Sequence, residues 1–118
     1  MTENGDELIN LKEALKLLDG EVGLLKELLN SFLNDKVFDL NHLIELESNG
    51  KLDEEASYIH YFKGAGRQLA CTNLATTEQM LEDVLRGKKE GDLSDLNIKF
   101  STSYTLTYNK IQDIVKIL

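Results

Sequence analysis

No proline occurs anywhere in the 118 residues, while apolar residues recur along the chain three and four positions apart. Proline is the residue that removes an interior N–H and clashes with the preceding helical turn. Its absence lets amphipathic helices run long, and the spacing predicts that they do. At 42% hydrophobic and 29% charged, the composition fits a folded chain rather than a disordered one. The length suits one core. No internal repeat or low-complexity linker divides the sequence, so residues 1–118 are expected to form a single domain, with 1–9 as a loose lead-in.

The helices can be placed in order. Asn10 and Glu13 have capping-box spacing. Leu11, Ala14, Leu15 and Leu18 then line a short first helix that Asp19-Gly20 ends. A second helix is expected from Glu21 to about Ser48, with a stripe through Val22, Leu25, Leu29, Phe32, Leu40 and Leu43. Val37 and Phe38 fall off that stripe; they either touch the first helix or form an exposed apolar patch. Asp53 is the expected N-cap of a third helix reaching about Ala70. Thr72 or Asn73 should cap a fourth, with Leu74, Thr77, Leu81 and Leu85 inward and Gly87 as its stop. The last segment is ambiguous, because Ser101 to Tyr108 has strand-like composition. Yet Leu93, Leu96, Phe100, Thr107, Ile111, Ile114 and Leu118 keep one helical stripe throughout, and helix is expected. Four long helices joined by short turns bury their stripes as an antiparallel up-down-up-down four-helix bundle, all-α, with the short first helix covering one end.

Charge narrows function. A net charge of −8 argues against nucleic acid and anionic membranes, which need clustered Lys and Arg. The acidic opening M-T-E-N-G-D-E has no apolar run of the kind a signal peptide carries. No segment has the ~18 continuous apolar residues of a membrane span. A cytoplasmic protein is expected. The single cysteine, Cys71, cannot close an intrachain disulfide, and next to Leu69 and Ala70 it reads as core filler.

The chemistry concentrates in residues 58–86. His60, Lys63, Gly64 and Arg67 stand at i, i+3, i+4 and i+7, on one helical face and away from Ile59, Phe62, Gly66, Leu69 and Ala70. Glycine inside a helix costs about 0.5–1 kcal/mol relative to alanine. Two in three positions therefore suggest a use: open space beside His60 at Gly64, close helix packing at Gly66. K-G-A-G lacks the full phosphate-loop pattern and lies within a helix, so no nucleotide site is read there. His42 has no such companions and reads as a solvated histidine; with His60 it makes no metal-ligand spacing. No metal site is expected.

His60-Tyr61-Phe62-Lys63-Gly64-Ala65-Gly66, Ala70-Cys71, Leu74 and Leu81-Glu82 resemble the signature of histidine-containing phosphotransfer (HPt) domains. L-I-N-L-K-E-A-L-K-L-L-D-G and L-L-K-E-L-L-N-S-F-L-N-D resemble that family's first two helices. The likeness fades after Gly87. Ile59, Phe62, Arg67 and Ala70 depart from the family pattern, at Ala70 where glycine is usual, but none removes a group the chemistry needs.

The resemblance implies a phosphocarrier rather than an enzyme, relaying a phosphoryl group between His60 and aspartates of response-regulator receiver domains, with a hybrid sensor kinase as a further partner. No cofactor is expected on this chain; Mg²⁺ is expected on the partner receiver, and the carrier is expected to be a monomer. Lys63 would bring positive charge to the phosphoryl oxygens, and Gly64 would admit the partner. Arg67 would bear on partner choice, and Val37, Phe38 and Tyr61 on docking. Two readings of Glu82 stand: a surface pair with Arg86, or a carboxylate within about 3.2 Å of His60 Nδ1 that fixes its tautomer. In the second reading Arg86 would temper the charge and reach the phosphoryl oxygens. A helical adaptor that binds receivers or other signalling proteins without chemistry is the alternative function.

Overall fold

Asn10 behaves as its spacing from Glu13 requires. Its side-chain oxygen accepts the Glu13 N–H at 3.0 Å, opening α1 (Leu11–Leu17) in a computed structural model that describes residues 7–118. Asp19 and Gly20 then take positive φ values of 53° and 79°, a left-handed turn that ends the helix. Residue 7 is not loose. The Glu7 carbonyl accepts the Asn73 N–H at 2.8 Å and the Thr72 hydroxyl at 3.3 Å. Residues 1–6 of the expected lead-in lie outside the described residues.

The long second helix is two helices. α2 (Val22–Asn34) and α3 (Leu40–Ser48) are separated by residues 35–39. Asp39 is the reason the chain restarts: its backbone is extended and its carboxylate accepts the Asn41 N–H at 2.9 Å. Its own N–H donates to the Tyr58 hydroxyl at 2.9 Å. The break also lets Phe38 turn inward. Its ring centroid lies 5.0 Å from Phe100, 5.5 Å from Tyr104, 5.7 Å from Phe62 and 5.8 Å from Tyr58. Aromatic contacts of this kind add to the area each ring buries.

α4 (Leu52–Gln68) starts one residue before Asp53, which is therefore not its cap. Asp53, Glu54 and Glu55 instead occupy the first turn, where negative charge favours the helix dipole. α5 (Thr72–Leu85) starts after Cys71, with no side-chain cap from Thr72 or Asn73. Gly87, at φ 74°, turns the chain after it. α6 (Leu93–Ile117) runs unbroken through the strand-like stretch, capped by Asp92. The buried stripe of Leu96, Phe100, Thr107, Ile111 and Ile114 outweighed local β-propensity. Leu118 at the stripe's end is exposed, as is Val22 at the start of α2.

Among the described residues there are six α-helices and no strand. α4 packs on α5, α5 on α6, α6 on α2, α3 on α4, and α1 on α2. No helix of the described residues is long and apolar enough to cross a membrane. The core joins Leu25, Leu29 and Phe32 of α2 to Ile59 and Phe62 of α4, Leu74 and Leu81 of α5, and Phe100 and Ile111 of α6. Cys71 lies within it, and burial pushes its thiol up to about 12. Ala70 sits at φ 55°, a conformation that glycine adopts without steric cost and alanine does not.

Candidate functional site

Ile59 and Phe62 are fully buried against the neighbouring helices, and this fixes the rotation of α4. His60, next to Ile59, is thereby turned outward, with 56% of its side chain exposed. Gly64 lies on the same side, and a Cβ added there would meet nothing within 4 Å. The space beside the imidazole is open. At Gly66 the opposite holds: a Cβ would come within 3.2 Å of Leu74 Cδ2 and 3.5 Å of Cys71 Cβ. One glycine leaves a surface clear, and the other lets α4 and the start of α5 approach.

His60 Nδ1 lies 3.0 Å from Glu82 Oε1, inside the distance the tautomer reading requires. Glu82 is not on a surface flank, however. Its residue is buried, and three donors converge on its carboxylate. Oε1 faces both His60 Nδ1 and Lys63 Nζ, the latter at 3.4 Å. Oε2 accepts from Arg86 Nε at 2.7 Å. Burial alone would raise this carboxyl. The neighbouring Glu78 carboxyl, the hydrogen bonds from Arg86 and His60 and the charge of Lys63 outweigh burial and hold it well below the ordinary carboxylate range. Near neutral pH this carboxyl is held in its anionic form. The neutral His60 ring that faces it carries its proton on Nδ1, leaving the Nε2 lone pair for chemistry.

Lys63 departs from expectation. It does not stand out on the face beside His60 but lies buried between α4 and α5. Its ammonium donates to Gln79 Oε1 at 2.9 Å and to Glu82 Oε1 at 3.4 Å, with Glu78 Oε1 at 3.8 Å. Leu74, Glu78, Leu81 and Leu85 form the buried face of α5 with Glu82. Glu78 was not anticipated, although a glutamate one turn after Leu74 on an inward stripe is a legible signal for a buried acid. Burial, followed by the hydrogen bond and charge of Glu82, pushes Glu78 up to about 8, against the opposing charges of Lys63 and Arg67. Of the two carboxyls, burial favours the protonated form at Glu78 and the surrounding donors favour the anion at Glu82.

The other named residues divide. Arg86 joins the cluster through Glu82. Arg67 is exposed and acts on Glu78 only through its charge. Tyr61 is exposed, with Lys36 Nζ 4.5 Å from its ring centroid. Val37 is 51% exposed, but Phe38 faces the aromatic core and drops out of the proposed docking patch. His42 is exposed and packs edge-on to Tyr58. His60, Glu78 and Glu82 bring ligand atoms within 4.8 Å of one another, a set that suits a borderline metal by atom type. The Lys63 ammonium, 3.4 and 3.8 Å from the two carboxylates, already supplies a cation to that cluster.

No protein-family model matches the chain, and no curated protein or solved structure matches it either. The site stands on its own geometry.

Proposed function

We propose that this protein is a phosphorelay intermediate of the histidine phosphotransfer kind, carrying a phosphoryl group on His60 Nε2. The observation that carries the reading is the 3.0 Å contact between Nδ1 of an exposed imidazole and a buried carboxylate. A histidine kept for packing would be covered, and one without a use would not draw a desolvated anion to its inner nitrogen.

In the transfer, the Nε2 lone pair attacks the phosphorus of a receiver-domain acyl phosphate. The P–N bond forms as the P–O bond breaks, and the aspartate carboxylate leaves with its electron pair. The ring becomes positive while Nδ1 keeps its proton, and Glu82 stabilises that charge. The reverse transfer runs through the same groups. Such transfer depends mainly on positioning and charge stabilisation. Gly64 gives the partner's site room to approach. Mg²⁺ and the acidic pocket belong to the partner, and this chain holds no nucleotide. Lys63 reaches the phosphoryl oxygens by leaving Gln79 and Glu82, a swing its flexible stem allows. Val37 and Tyr61 form part of the docking face, close to Lys36.

The helix pairings support the matching architecture. If α2 and α3 are read as one interrupted rod, they make a four-helix bundle with α4, α5 and α6, and α1 covers an end. The carrier works as a cytoplasmic monomer.

The test is incubation with a phosphorylated receiver domain. Acid-labile, alkali-stable label should appear on the wild type and not on His60→Gln. Receiver binding without label on any variant would favour an adaptor.

A further inference from the structure

Glu78 is 0% exposed, and neither of its carboxyl oxygens has a hydrogen-bond partner. A buried acid left in that condition costs more than a glutamine or an apolar residue of similar size. Its position suggests what the cost supports. Lys63 faces three oxygens on one turn of α5: it donates to Gln79 at 2.9 Å and to Glu82 at 3.4 Å, and stands 3.8 Å from Glu78, an ion-pair distance only. Two are committed elsewhere as well, Glu82 to His60 and Arg86 and Gln79, through its amide, to Asp83. Glu78 alone is free to change its charge.

We propose that Glu78 is a positioning residue whose protonation sets how firmly Lys63 is held against α5, and so how readily its ammonium reaches a phosphoryl group at His60. The inference rests on the phosphocarrier reading of His60. With its proton, Glu78 donates toward Glu82, and Glu82 is the one anion holding Lys63. Without it, a second carboxylate stands beside the ammonium and Lys63 stays inside. The charged groups around Glu78 are Glu82 on its own helix and Lys63 and Arg67 on α4. The buried face of α6, which packs on the other side of α5, carries no acid or base that titrates near neutrality. Burial and Glu82 place the change at about 8, so acceptance weakens as pH rises from 7 to 9.

The probe is phosphoramidate, a small P–N phosphodonor whose ammonia leaves as Nε2 attacks, so no receiver contributes its own titration. Wild type and Glu78→Gln, which mimics the protonated acid, are compared at each pH. The ratio of their acceptance rates should fall about tenfold between pH 7 and 9, the rate equivalent of one pKa unit of differential interaction. Independently of transfer, the His60 ring ¹⁵N shifts of the wild type should show a step near the Glu78 midpoint of about 8 that Glu78→Gln lacks. A constant ratio, or shifts without that step, overturns the role of Glu78. A retained step with no acceptance at any pH overturns the phosphocarrier reading instead.

Discussion

Two buried glutamates on neighbouring helices have the same elementary chemistry and different connections. Glu78 of α5 lies under His60, linked to the surface through Glu82. Glu55 of α4 is equally buried, with both oxygens lacking a hydrogen-bond donor. Burial, then the charge and hydrogen bond of Glu47, pushes Glu55 up to about 8. Its charged neighbour is Glu47 of α3, whose Oε1 accepts from the amide of Asn97 of α6 at 2.9 Å. That cluster ties three helices together. A displaced proton equilibrium is thus no mark of function by itself. Glu78 neighbours Glu82, which meets the exposed His60 imidazole, whereas Glu55 neighbours Glu47, which meets an asparagine.

The largest expected effect separates the two regions outright. His60→Gln should abolish phosphoryl acceptance, read by label from a phosphorylated receiver. Melting should change by no more than about 0.5 kcal/mol, as usual for an exposed position. Glu82→Ala should slow acceptance about tenfold, what one hydrogen bond to a charged group is worth at the barrier, while receiver binding measured by calorimetry persists. A normal rate in Glu82→Ala would leave the tautomer argument without support.

Lys63→Met tests whether the ammonium is as structural as its burial implies. Removing one partner from a buried ionic cluster should cost about 3 kcal/mol in urea denaturation, against almost nothing for a solvated lysine. Part of the loss is relieved if Glu82 takes up a proton.

The Glu55 region should respond to pH alone. A carboxyl raised to about 8 in the folded protein binds its proton more tightly there than in the unfolded chain. Its contribution is therefore complete below the unfolded value of about 4.3 and is lost as pH rises through the folded value. Melting temperature should fall between pH 5.5 and 8.5, and Glu55→Gln should reduce that fall, Glu78 supplying the rest, without touching phosphoryl acceptance. Glu82 has the opposite sign: its depressed carboxyl supports stability above the unfolded value and loses that contribution in acid. An equal pH slope in wild type and Glu55→Gln would erase the distinction between the regions. The smallest effect is Asn97→Ala, about 1 kcal/mol for one side-chain hydrogen bond, with no change in the His60 ring shifts.

What could be read from the sequence followed the range of each signal. The Asn10 cap, the Asp19-Gly20 stop and the α6 stripe depend on residues within a few turns, and all are present. The His60–Glu82 contact spans 22 residues, and its placement came from a signature spacing rather than from periodicity. The rotation of α4 was misread at Lys63. A lysine three residues after an exposed histidine is buried when glutamates on the facing helix offer it partners, which one helix wheel does not reveal. Glu55 and Glu78 each sit at a stripe position, where charged residues are ordinarily excluded, so composition alone does not mark them as buried. The break at 35–39 had a local signal in Asp39 before Leu40. The stripe running through both sides masked it, and the inward turn of Phe38 depends on rings from α4 and α6 that no local window contains.

That break also alters how the protein yields under stress. A single rod would open as one unit, but α2 rests on α6 while α3 rests on α4, so the two can loosen separately. Amide exchange should then fall into two rates, divided near Asp39, whose N–H is tethered to Tyr58. Opening of α3 would expose the Glu55 side of α4 and leave the Glu82 side, on α5, closed. The folded chain would in effect have one end that breathes and one that keeps its shape.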